Sequence, residues 1–90
     1  MIEKILKERE QTHGDYENVA TTAQEIKDAI HTGVNYHEAP SIMKESLDLF
    51  ATKMARIVNG NFENLDHWED IIGYAQLVVN KLKEQVSREK

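Results

Sequence analysis

Cysteine is missing from this chain of 90 residues, while proline occurs once and glycine four times. Without cysteine, the protein has neither disulfide bonds nor a thiolate metal site. The scarcity of helix-interrupting residues, together with long runs of good helix formers, predicts an all-α protein. We expect a single small helical domain over residues 1–90, because so short a chain cannot support two separate cores.

Basic residues are also scarce, since 11 Lys and Arg stand against 16 Asp and Glu for a formal net charge of −5. This balance argues against nucleic-acid binding, which normally needs a face of clustered Lys and Arg. It still allows a small phosphorylated ligand, because a bound cation inverts the local charge. No apolar run is long enough to span a bilayer. The charged, amphipathic start of the chain does not resemble a signal peptide, so we expect a soluble cytoplasmic protein without a membrane partner.

The spacing of apolar residues predicts four helices, at about residues 2–11, 16–30, 40–58 and 64–86. A loop should cover residues 31–40, and a frayed tail about residues 85–90. Gly14 and Asp15 are typical of a C-cap followed by an N-cap, and Pro40 of a first helical turn. The break at residues 59–61 predicts a long antiparallel hairpin of helices three and four. Apolar residues cover more than half of helix four, so we expect a homo-oligomer to complete the bundle.

Acidic residues in helices three and four are the most informative feature, namely Glu45, Asp48, Asp66, Glu69 and Asp70. Spacings of three and four place carboxylates one turn apart on one helix face. If the two faces meet, these acids predict a Mg²⁺ site, because Mg²⁺ takes a few carboxylates together with waters and substrate phosphates. Such a cluster needs neutralising, since two like charges 4 Å apart repel by about 4 kcal/mol at an effective dielectric near 20. The alternatives are an ion-pair network with neighbouring cations, or acids that simply face solvent.

Two cations of helix three, Lys53 and Arg56, are candidate phosphate ligands. Their position also suits neutralisation of the acids or of the negative end of the helix dipole. Nucleophilic catalysis has little support, because cysteine is absent and no serine belongs to a recognisable triad. Glycine-rich phosphate loops of the Walker or Rossmann type are absent as well.

Five further residues are candidate ligand contacts. The polar cluster of residues 13–16 adjoins the N-terminus of helix two, and a helix N-terminus favours anions. Helix capping explains these polar residues equally well. A histidine beside Trp68 can stack on a base or pack at an interface, and a tyrosine after Gly73 can reach a ligand or lie in the core. Together with Asp15, these residues are His13, Tyr16, His67 and Tyr74.

Four segments resemble a family of small phage-encoded proteins: residues 13–16 (HGDY), 45–48 (ESLD), 53–57 (KMARI) and 66–75 (DHWEDIIGYA). That family is similar to nucleotide-modification-associated helical domains of phages and, distantly, to MazG-like all-α NTP pyrophosphohydrolases. The resemblance implies a nucleotide-binding protein. In MazG-like enzymes, paired acids on neighbouring helices bind Mg²⁺ while a water attacks the triphosphate. By that likeness, Glu45 and Asp48 would form one pair, and Asp66 with Glu69 or Asp70 the other.

Three functions therefore stay open. The first is Mg²⁺-dependent hydrolysis of a nucleoside triphosphate, with Glu45, Asp48, Asp66 and Asp70 as the catalytic acids. The second is a non-catalytic sponge that sequesters a nucleotide-derived signal of host immunity, for which the cations and His13 matter more than the acids. The third is a structural module that binds another protein through the apolar surface of helix four.

Overall fold

A computed structural model describes residues 1–89, with side chains described through residue 87. These residues form α1 (Ile2–His13), α2 (Tyr16–His31), α3 (Ser41–Asn59) and α4 (Leu65–Glu89), with a short 3₁₀ turn at Tyr36–Glu38. The small all-α bundle predicted from the sequence is confirmed.

Local capping explains where the helices begin and end. The Asp15 Oδ2 accepts a hydrogen bond from the Asn18 backbone N–H at 3.2 Å, as expected for the N-cap of α2. Gly14 ends α1 with a φ of 92°, a conformation that L side chains rarely adopt. Pro40 lies one position outside α3, as its N-cap. The tail expected to fray from about residue 85 is helical through Glu89, while Lys90 lies outside the described residues.

The core is small and lies between α2 and α3. Its cluster consists of small side chains, Val19, Ala23 and Ala55, which allow close approach of the helices, and Ala51 and Ile57 of α3 are buried as well. The third helix is central, because it packs against α2 on one side and α4 on the other. The apolar side chain of Met54 in α3 is 46% exposed.

Two contacts confirm that α3 and α4 are antiparallel. Ser46 lies near Tyr74, and Lys53 further along α3 contacts Asp70, which is earlier in α4. The molecule is elongated, with extents of 55 × 26 × 22 Å. Within the described residues, no helix has the length and apolar character needed to cross a membrane.

Candidate functional site

Two chain reversals cross at one end of the bundle, and both depend on glycine. A Cβ added to Gly14 would lie 2.5 Å from the Asn59 carbonyl oxygen, and one added to Gly60 would lie 2.5 Å from the Thr12 carbonyl oxygen. The Asn61 N–H donates to that same Thr12 oxygen at 3.1 Å. The α1–α2 turn and the α3–α4 turn therefore form one junction, with no room for a side chain between them.

Two histidines meet behind this junction. The His13 Nδ1 lies 3.1 Å from the His67 Nε2, and the His67 side chain is 1% exposed. The contact is satisfied when the His67 Nε2 carries its hydrogen and donates it to His13. The His67 Nδ1 is then a buried acceptor without a hydrogen-bond partner among the described residues. His67 is thus a packing residue of the junction, one of the two roles considered for it.

A groove of about 470 Å³ opens between α1, α2 and α3 on the His13 side of the junction. This volume falls within the range of small-molecule sites. Arg9, Lys27 and Arg56 line it against only two acids, Glu10 and Asp15. The groove therefore has a local excess of positive charge, although the whole chain is acidic. We call it the basic groove.

Electrostatics at His13 reflect that excess. Partial burial, followed by the charges of Arg56, His67 and Arg9, holds the pKa of His13 below its ordinary value of 6.5. The basic groove thus disfavours one more positive charge, and an anion bound there would reverse the effect.

Apolar and aromatic groups complete the lining of the groove. Val19 and Ala23 form its buried side, while Tyr16 lies at the edge with 83% of its surface exposed. An exposed aromatic ring beside a group of cations provides a flat surface on which a base can stack.

The candidate acids of α3 and α4 lie outside the basic groove. The Asp48 Oδ1 lies 3.0 Å from the His31 Nε2 of α2, and the His31 ring packs on Tyr36 with centroids 4.5 Å apart. Glu45 lies near the same tyrosine. The pKa of Tyr36 is raised by partial burial, and then by the negative charges of Asp48 and Glu45. These two acids share a face of α3, as their spacing predicts.

The acids of α4 have a different environment. The Asp70 Oδ2 lies 2.6 Å from the Lys53 Nζ, whose side chain is only 11% exposed. The hydrogen bond from Lys53 lowers the pKa of Asp70 below its ordinary value of 3.8. Asp66 and Glu69 are exposed. Lys53 is therefore the neutralising partner of an α4 acid, as in the ion-pair alternative, and not a lining residue of the basic groove.

The single chain does not bring the four catalytic candidates together. Asp48 and Lys53 are five positions apart on α3, so they point about 140° apart around its axis, one toward α2 and the other toward α4. Among the described residues, no group of three or more His, Asp or Glu side chains is placed to hold a metal ion. Mg²⁺ binding by these acids stays a prediction.

Of the other predicted contacts, His13, Asp15, Tyr16 and Arg56 line the basic groove, whereas Tyr74 does not. The Tyr74 carbonyl oxygen accepts a hydrogen bond from the Ser46 hydroxyl at 3.4 Å. Sequence reasoning missed Arg9 and Lys27 as groove residues. Helical spacing places Arg9 one turn before His13, and Lys27 in line with Val19 and Ala23, but it does not show that these two faces meet beside Arg56.

Fold and site together define a small helical bundle with a basic interhelical groove. The chain belongs to the family described as a domain of unknown function, DUF6378, whose model matches residues 2–82. Comparisons with curated proteins and with solved structures found no match.

Proposed function

We propose that the protein binds a small phosphorylated ligand, a nucleotide, in the basic groove. The observation that carries the proposal is the charge of the groove: Arg9, Lys27 and Arg56 surround a cavity of about 470 Å³ in a chain of net charge −5. Positive charges repel one another when they are brought together, and an anion bound between them removes that repulsion. The resemblance to phage nucleotide-modification domains supports a nucleotide as the class of ligand.

Arg56 and Arg9 are the expected phosphate ligands. A guanidinium group donates two parallel hydrogen bonds to phosphate oxygens, and such charge-assisted bonds are stronger than neutral ones. His13 lies close enough to both arginines for their charges to lower its pKa. An arriving phosphate raises the pKa of His13 and lets it donate as well, so affinity increases as the pH falls from the raised pKa of the complex toward the lowered pKa of the free protein.

Tyr16 is the expected contact of the base. Its ring is largely exposed at the edge of the basic groove, one residue after the Asp15 cap. Stacking of a base on such a ring contributes about 1–3 kcal/mol and tolerates any of the bases.

Binding without turnover is favoured over hydrolysis, because the acids that would hold Mg²⁺ lie outside the basic groove. Asp48 and Asp70 each have a partner of their own, His31 and Lys53. This arrangement supports the non-catalytic alternative, in which a nucleotide signal is sequestered intact.

The test is calorimetric titration of the protein with a panel of nucleotides, inorganic phosphate and pyrophosphate, with and without Mg²⁺. We expect nucleotide binding that EDTA does not abolish, with intact nucleotide recovered after the protein is denatured. Arg56→Gln should weaken binding about 10- to 100-fold, since a hydrogen bond to a charged group is worth about 1.5–3 kcal/mol. Arg9→Gln should also weaken it.

Lys7→Gln is the matched control, because it removes an exposed cation of α1 outside the basic groove. If Lys7→Gln and Arg9→Gln lose the same amount of nucleotide affinity, the effect comes from the overall charge of the protein and not from the basic groove. Release of pyrophosphate from a nucleoside triphosphate would instead establish the hydrolase. No response to any nucleotide under any of these conditions refutes the proposal.

A further inference from the structure

One face of α4 is apolar, exposed and regularly spaced. Every seventh residue along it is branched and apolar: Leu65, Ile72, Val79 and Val86. Three positions after the first three of these come Trp68, Ala75 and Leu82. This is the a and d pattern of a coiled coil, sustained over three heptads. We call this face the α4 seam.

The rest of the chain leaves the seam uncovered. Ile72 is 67% exposed, Trp68 50% and Leu82 43%, although these are among the largest apolar side chains of the protein. The side of α4 that packs on α3 is different and includes the buried His67 together with Asp70. By helical geometry, His67 and Asp70 lie roughly 160° around the axis from the centre of the seam, so α4 can pack on α3 and on another helix simultaneously.

We propose that α4 pairs with α4 of a second copy of this chain as an antiparallel coiled coil. A heptad seam needs a partner helix with the same spacing, and the chain itself supplies one. In the antiparallel register that sets Ile72 against Leu82, the small Ala75 meets Val79 near the two-fold axis. The two smallest layers of the seam then lie at its centre, between the larger layers of Ile72 and Leu82, which allows the two helices to approach closely at the axis.

Charges beside the seam select this orientation. Glu69 and Lys83 both occupy the e position of the heptad, and neither forms an ion pair within the described residues. In an antiparallel pair e positions face e positions, so Gln76 lies opposite its own copy and Glu69 opposite Lys83, twice by symmetry. In a parallel pair, e faces g, and the g positions are the uncharged Ile71, Val78 and Gln85. Only the antiparallel dimer pairs the charges.

Sedimentation velocity and native mass spectrometry test the proposal on the full chain. We expect a species of twice the 10.4 kDa chain mass. Ile72→Glu or Val79→Glu should raise the dimer dissociation constant by at least about 100-fold, because each dimer would bury unpaired carboxylates. Circular dichroism of each variant verifies that the helices remain.

Leu77→Glu is the matched control. Leu77 is 56% exposed on α4, but it lies about opposite the seam, so this variant should stay dimeric. Glu69→Lys should weaken the dimer through like charges, and adding Lys83→Glu should restore it. A wild-type chain that stays monomeric, a dimer that Leu77→Glu dissociates as readily as Ile72→Glu, or a charge swap without rescue overturns the proposal.

Orientation is tested by cross-linking, which the lack of native cysteine makes simple. Gln76→Cys should couple to its own copy through a short bismaleimide, whereas Gln85→Cys should not. In the antiparallel register, the two copies of residue 85 are separated by 14 helical positions along the axis, or roughly 20 Å. Equal coupling at both positions refutes the antiparallel arrangement.

Discussion

Gly60→Ala is the substitution whose cost follows most directly from the structure. The new Cβ would lie 2.5 Å from the Thr12 carbonyl oxygen and 2.6 Å from the Gly14 nitrogen and the His13 carbonyl carbon. All three are backbone atoms of the α1–α2 turn, so no side chain can rotate away. The junction must open, which costs about 1–3 kcal/mol for overpacking.

Opening the junction also weakens the 3.1 Å hydrogen bond from Asn61 to Thr12, at about 0.5–1.5 kcal/mol. Alanine also lowers the conformational entropy of the unfolded chain, which offsets about 0.4–1 kcal/mol of this loss in stability. We therefore expect a net loss of about 2–3 kcal/mol in the free energy of unfolding. For a chain of this length, that lowers Tm by about 10–15 °C.

Gly73→Ala is the matched control for this prediction. A Cβ at Gly73 has no neighbour within 4 Å in the described structure, and the residue lies inside α4. Since alanine favours a helix interior by about 1 kcal/mol over glycine, its Tm should rise by about 5 °C. Thermal unfolding followed by circular dichroism, at one protein concentration, compares the variants. If Gly60→Ala is as stable as Gly73→Ala, the two turns do not cross as described.

Three further predictions concern single side chains. Asp15→Ala should cost about 0.5–2 kcal/mol in urea unfolding, whereas Asp15→Asn keeps the cap and should cost less. Asp70→Asn should lower Tm more than Lys53→Met, because it leaves a nearly buried ammonium unpaired while Lys53→Met removes the charge. The contribution of Asp70 to stability should be lost as pH falls below about 3.8, since its pKa is lowered in the folded state. The pKa of His13 is also lowered, so the unfolded chain takes up a proton first, and stability should decrease as pH falls through 6.5. His13→Asn should flatten that slope in pH-dependent unfolding, and an unchanged slope would contradict the assignment.

The helices could be predicted from the sequence because their signals are local. Four periodic segments, the Asp15 cap and the Gly14 end require only neighbours within a turn or two. The predicted end of α4 at about residue 86 falls three residues short, because the polar residues after Val86 carry no apolar periodicity.

The pairing of acids could not be predicted in the same way. Spacing placed Glu45 and Asp48 on one face of α3, and the structure agrees. Which helix that face meets depends on rotation about the helix axis, and α3 has neighbours on both sides. The same uncertainty hid the roles of Arg9 and Lys27, which become a site only when α1 and α2 lie beside Arg56.

By itself, the sequence determined the number of α-helices, the caps at Gly14 and Asp15, the acidic charge and the apolar surplus of α4, because each depends on composition or on short-range periodicity. Only the tertiary structure decided that His13 meets His67 across 54 positions, that Lys53 neutralises Asp70, and that three cations share one groove. Those contacts depend on how rigid helices rotate and cross. That choice is made by packing of small side chains such as Ala51 and Ala55 and by the two glycines of the junction, Gly14 and Gly60.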